Sequence, residues 1–211
     1  MQFFTEDKQG TSEIPADRVL LSIGRRPFSE NFGLENIGVQ TRRGAINTDE
    51  SMRTNIPGVY AAGDVNGKSM LAHTAYREAE VAVNHMTGIR DLMSYRAIPS
   101  VIYTNPEVAG AGETEASARE KGIDVTVKTI TMRYSGRYLA ENEGGDGIAK
   151  IILDKKTERI IGLHMIGNYA SEIIFGAGMM IEQEMTLETI RKTVFPHPAV
   201  CEIIREAVFQ I

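Results

Sequence analysis

Cysteine is the scarcest chemical resource in this sequence: Cys201 is the only one in 211 residues. A single thiol cannot form an intrachain disulfide, and it excludes redox chemistry through a dithiol pair within this chain alone. The expectation is a reducing, cytoplasmic location. Long apolar runs are missing too. A bilayer span needs about 20 mainly apolar residues in a row, and no stretch approaches that, so no membrane partner is expected. The opening Met1-Gln-Phe-Phe-Thr-Glu-Asp has neither the basic start nor the apolar core of a signal peptide. Positive charge is not in excess either. The formal net charge of −5 argues against nucleic acid or an anionic membrane surface as a partner. His85 and His164 lack an acidic or histidine neighbour at ligand spacing, so no metal site is expected. What remains, 42% hydrophobic and 24% charged residues, suits an ordinary globular chain of one or two domains.

Residues 19–23 (Val-Leu-Leu-Ser-Ile), closed by Gly24-Arg-Arg-Pro, read as a buried strand and a turn. Residues 28–50 are loop-rich, with a turn at Arg43-Gly44. A turn at Pro57-Gly58 leads into a buried strand over 59–62, with Gly63 and Asp64 at its end. Ligands of parallel α/β sheets gather at the carboxyl ends of strands. A glycine there admits a ligand to the backbone, and an aspartate accepts a hydrogen bond from a ribityl or ribose hydroxyl. The alternative is a plain strand–turn–helix unit with Asp64 as a turn residue. The pattern predicts a helix over 71–86, with Ala72, Ala75, Ala79 and Ala82 as a close-packing stripe. Its first amides carry partial positive charge that suits an anion or a polarised carbonyl. Residues 87–96 read as a linker.

From residue 97 the pattern changes. A strand starts at Ile98, with Pro99 near its start and Pro106 closing it, and a helix over 114–121 has Thr114 as cap and Gly122 as stop. Residues 124–132 alternate as a half-buried strand. Residues 147–153 and 159–166 form a hairpin about Asp154-Lys-Lys-Thr, with apolar residues on both faces, which predicts a sheet covered on both sides. Helices over 170–185, 186–193 and 198–209 follow, with Met179-Met180 as core or interface filler. Strands first and helices later, without βαβ alternation, indicate an α+β domain.

Near the end, His197 stands between Pro196 and Pro198, with Glu202 five residues on. Prolines stiffen the backbone on both sides, and Pro198 suits the first position of a helix, which puts His197 at the cap. A carboxylate on one ring nitrogen fixes the tautomer and leaves the other free to take a proton, as a general base requires. A helix-capping histidine beside a surface glutamate is the alternative that spacing leaves open. Cys201 in the first turn of that helix would have a lowered pKa, but with no partner thiol it is read as incidental.

Five stretches in order resemble the flavoprotein disulfide reductase family, and its dihydrolipoamide dehydrogenase branch most closely: Ser22-Ile-Gly-Arg-Arg-Pro, Tyr60-Ala-Ala-Gly-Asp, Met70-Leu-Ala-His-Thr-Ala, Tyr103-Thr-Asn-Pro-Glu-Val-Ala and His197-Pro-Ala-Val-Cys-Glu. The resemblance implies that 1–27 end a NAD-binding domain, with Gly24 near the dinucleotide. It implies that 28–96 are the returning segment of an α/β FAD-binding domain. Asp64 would bond the ribityl chain, and Met70, Leu71, Ala72 and His73 would offer amides to the flavin. Residues 97–211 would be the interface domain that builds a homodimer, its antiparallel sheet covered by helices. His197 would be the acid/base toward the other subunit, oriented by Glu202, with the His197–Pro198 bond cis. The implied whole enzyme oxidises dihydrolipoamide with NAD and serves a lipoyl-bearing component of a 2-oxoacid dehydrogenase complex. The branch usually has Thr and Ser where this chain has Ala199 and Cys201, a loss of two hydroxyls around the histidine. The Gly-rich FAD and nicotinamide fingerprints and the redox cysteine pair are absent, so the chain reads as a C-terminal portion, inactive alone. Two other readings stand beside it: a dimerisation or interaction module without chemistry, and a related FAD-dependent reductase of another disulfide.

Overall fold

The computed structural model describes residues 2–7 and 10–211. They fall into two compact units that divide between Met93 and Ser94. In the first unit, β1 (Gln2–Asp7) pairs antiparallel with β2 (Gly10–Pro15), a hairpin in a stretch the sequence left unassigned. Residues 19–23, expected as a buried strand, pair with nothing among the described residues, and Leu20, Leu21 and Ile23 are 91%, 77% and 89% exposed. β propensity is realised only against neighbouring strands, and none is there to supply the ladder.

β3 (Thr41–Arg42) and β4 (Ala45–Ile46) are joined through Arg43 and Gly44, both at positive φ as a two-residue hairpin turn demands. Val39, Ile46 and Ala61 form a small core, with Leu34, Ile56, Val59 and Val65 against it. The strand expected over 59–62 is a single bridge between Tyr60 and Arg53. α1 (Ala72–Met86) falls where expected, but of the alanine stripe only Ala82 is buried, beside Thr74, Glu78 and Val81.

The second unit is built on one antiparallel sheet in the order β5-β6-β9-β8-β7: β5 (Ser100–Ile102), β6 (Val108–Gly112), β7 (Val125–Thr131), β8 (Ile148–Asp154) and β9 (Ile160–Ile166). Register puts Ala109, Met165, Ala149 and Ile130 in one cross-strand row, and Ala111, Leu163 and Ile151 in the next. These rows share a core with Ile173, Ile174, Ala177 and Ile181 of α4 (Ala170–Glu182) and Ile203, Ile204 and Ala207 of α6 (Glu202–Val208). The other face is not covered throughout. Ile152 is buried there and Ala118 of α2 (Glu115–Glu120) is fully buried, but Ile148 and Ile166 are exposed beside a groove of about 840 Å³ floored by Gly110 and Gly112. A Cβ at Gly110 would lie 2.5 Å from Nδ1 of His164, so glycine lets that ring lie across the sheet. His164 Nε2 in turn meets the Glu113 carbonyl at 2.9 Å.

α2 starts as the sequence requires: Thr114 Oγ1 accepts from the Ser117 amide while Ser117 Oγ accepts from the Thr114 amide. α3 (Gly136–Glu141) and β6 were not anticipated. α5 (Leu187–Arg191) follows its Thr186 cap. No helix among the described residues is long and apolar enough to cross a membrane. Ile151→Ala, at a fully buried position, should lower unfolding free energy by about 3 kcal/mol in urea titration, against less than about 1 kcal/mol for Ile148→Ala on the open face. Equal effects would contradict a one-sided core.

Candidate functional site

The expected site residues fall in three places, two in the first unit and one in the second. In the first, Gly63 sits at φ 85° and ψ −161° and opens a short 3-10 turn, Asp64–Asn66. Asp64 is exposed there. The turn is anchored from beneath by a residue the sequence reading passed over. Glu78, fully buried on α1, accepts on one oxygen from the Gly63 amide (2.5 Å) and from Asn66 Nδ2 (2.8 Å). Asn66 Oδ1 accepts from the Lys68 amide at 2.9 Å. A glutamate in the i, i+4, i+7 row of an otherwise apolar helix face was the available signal. Met70 and Leu71 are half-buried, and Ala72 and His73 are exposed at the start of α1, which has no side-chain cap at Leu71. Gly24 lies in the exposed run after residue 19, at φ 118° with open space about it, and joins none of these contacts.

In the second unit, the His197–Pro198 bond is cis, as is Asn105–Pro106. His197 Nδ1 meets Glu202 Oε1 at 2.9 Å, and Glu202 Oε2 accepts from the Ala199 amide at 2.8 Å. The helix does not begin at Pro198. It begins at Glu202, after a turn in which the Glu202 and Ile203 amides bond the carbonyls three residues back, at Ala199 and Val200. That amide, and then the histidine, hold the Glu202 carboxyl below the usual carboxylate range. An ionised carboxylate only accepts, so Nδ1 is the donor and the basic lone pair of a neutral ring lies on Nε2. The side chain of His197 is 81% exposed and that of Glu202 16%. A histidine whose outer nitrogen faces solvent while its inner one is fixed can exchange protons with an incoming group.

The lowered pKa that a place at a helix start allows is not what Cys201, read as incidental, has. Burial pushes its thiol up, and the Glu202 carboxylate adds to the rise, so proximity to a helix start does not prevail. Among the described residues, no group of three or more His, Cys, Asp or Glu is placed to hold a metal ion. His85 Nδ1 instead meets Tyr60 Oη at 2.8 Å.

Residues 98–208 match the family described as pyridine nucleotide-disulphide oxidoreductase, dimerisation domain, and residues 2–79 match pyridine nucleotide-disulphide oxidoreductase. The chain belongs to the pyridine nucleotide-disulphide oxidoreductases. It is 43% identical over 192 residues to the dihydrolipoyl dehydrogenase of Chlamydia muridarum, covering 90% of this chain and 41% of that protein. With the dihydrolipoyl dehydrogenase of Rhizobium etli it shares 40% identity over 198 residues, 93% of this chain and again 41% of the relative. The chain thus spans about two fifths of the curated relatives it matches. LpdA of Mycobacterium tuberculosis superposes with a TM-score of 0.86 at 26% identity, over 98% of this chain and 45% of that one. The HOCl-induced flavoprotein disulfide reductase RclA of Escherichia coli, at 22% identity and a TM-score of 0.83, shares the fold over 99% of this chain and 50% of its own. The α+β architecture with an antiparallel sheet and helices is that of this oxidoreductase family.

Two expectations follow. Glu78→Ala strands two buried donors and should cost about 3 kcal/mol in denaturant unfolding, whereas Glu78→Gln, which keeps an acceptor, should cost less. For Glu202 the folded pKa lies below the ordinary 4.5, so its stabilising contribution is present above that pH and is lost as pH falls through the folded value. Urea midpoints of the parent and Glu202→Gln should therefore differ at pH 6 and converge toward pH 2.

Proposed function

We propose that this chain is the C-terminal part of a dihydrolipoyl dehydrogenase, catalysing dihydrolipoamide + NAD⁺ to lipoamide + NADH + H⁺ in the whole protein. The observation that carries this reading is the His197–Glu202 pair on the cis-proline loop. In that reaction two thiols lose two protons and two electrons and one S–S bond forms. The attacking species in thiol–disulfide exchange is the thiolate, and a lipoyl thiol near its free pKa is mostly protonated at neutral pH. His197 Nε2 takes that proton, and the Glu202 carboxylate stabilises the resulting imidazolium through Nδ1. Ala199 helps by holding Glu202 in reach with its amide.

The residues of the first unit fit a flavin. Asp64 is exposed on a turn pinned by Glu78, in position to accept from a ribityl hydroxyl. The 15-residue helix α1 starts at Ala72 without a side-chain cap, so its positive end suits a ring carbonyl, with Met70, Leu71, Ala72 and His73 around it. Gly24 offers open backbone for close approach of the nicotinamide dinucleotide. FAD, when bound, carries the electron pair from the dithiol to NAD. In this assignment 1–27 end the NAD-binding domain, 28–96 complete the FAD-binding domain and 97–211 form the interface domain of a homodimer. The partner is the lipoyl-bearing component of a 2-oxoacid dehydrogenase or related complex, and the compartment is the cytoplasm.

A second reading, a dimerisation module without activity of its own, is favoured by the match to a dimerisation domain and by Phe175 and Met179 of α4, 66% and 53% exposed beside a self-contained core. Light scattering separates it: a colourless dimer of the isolated chain supports an assembly module, and a monomer at micromolar concentration removes it. For the enzymatic reading, His197→Gln in the complete protein should lower lipoamide turnover about 10²-fold or more. Unchanged turnover would refute the role of His197, and faster turnover of glutathione or coenzyme A disulfides would point to a related reductase.

A further inference from the structure

Ser135 is 1% exposed, and nothing in the acid/base reading uses it. Its hydroxyl serves two groups at once. It accepts from the Tyr138 amide at 3.2 Å, capping α3, and lies 3.1 Å from the carbonyl oxygen of Ala199, 64 residues further along the chain. The direction of the second bond is forced. A backbone amide only donates and a carbonyl only accepts, so the single hydroxyl proton points to Ala199. Residue 199 is therefore gripped by both of its backbone groups, the N–H by Glu202 and the C=O by Ser135. Its side chain is a methyl group, which cannot orient it. Pro198, immediately before, contributes no backbone donor. The bonds of Ala199 to Ser135 and Glu202, with the buried side chain of Val200 after it, thus hold the loop between the histidine and α6.

We propose that Ser135 is a positioning residue for thiol deprotonation: by fixing Ala199 it sets the Glu202 carboxylate, and through it the tautomer and direction of His197. The proposal rests on the reading of His197 as the base. Without the hydroxyl, the Ala199 carbonyl keeps only the longer bond from the Glu202 amide, 3.4 Å, and the loop can shift. Displacement of a reacting group by about 1 Å is enough to cost up to about 10²-fold in rate.

The test uses the complete flavoenzyme and follows reduction of the flavin separately by NADH, which does not pass through His197, and by dihydrolipoamide, which does. Ser135→Ala should slow the dithiol-driven reduction about tenfold and leave the NADH-driven one within about twofold. Ser135→Thr, which keeps the donor, should restore the dithiol rate. Added to His197→Gln, Ser135→Ala should cause no further loss, because it acts through the missing ring. Should the alanine variant not fold, Ser135→Cys keeps the volume with a weaker donor and must show the same split. Equal losses with both reductants, or a further loss in the double variant, would reduce Ser135 to a scaffold role and overturn the proposal. A His197→Gln enzyme that keeps its full dithiol rate would instead overturn the reading on which it rests.

Discussion

One carboxylate governs the loop that carries His197. Glu202 divides its two oxygens between the ring of His197 and the amide of Ala199, so side chain and loop are set by the same group. Glu202 is itself the first residue of α6, whose Ile203, Ile204 and Ala207 lie in the core beneath the sheet. The rigidity of a packed core thereby reaches an exposed histidine in one step. A long side chain in water has many rotamers, and fixing it against that entropy requires a partner that does not move. The helix supplies the immobility, and the carboxylate transmits it.

The first unit solves the same problem with the polarity reversed. There the exposed group is an acid, Asp64, and the anchor is another acid, Glu78, buried under the turn that carries it. Glu78 does not touch the Asp64 side chain in any described hydrogen bond. It takes the amide of the preceding glycine and the side chain of Asn66 two residues beyond, so the turn is held at both shoulders. In both units, the residue that would meet a ligand is exposed, and the residue that aims it is covered.

Much of the second unit was legible because local signals and packing agree there. Thr114 caps, Gly122 stops, and the strands over 125–131, 148–154 and 160–166 put apolar residues into a real core. β6 escaped because Val-Ala-Gly-Ala-Gly has little intrinsic strand preference. It is a strand because β5 and β9 pair with it on both sides. Residues 19–23 failed in the opposite sense, with strong preference and no neighbour. The contact of His197 with Glu202 could be inferred from five-residue spacing within a proline-stiffened turn. Glu78 and Ser135 could not be recognised as anchors, since their partners lie 12 to 64 residues away and only folding brings them together.

The retreat of Cys201 toward the core has its own chemical meaning. Its thiol packs partly against the core and is held in its protonated form by burial and by a neighbouring anion. Under the role proposed for His197, the thiol next to the site is therefore a weak competitor for a substrate thiol. The raised thiol has a smaller thiolate fraction with which to attack an incoming disulfide.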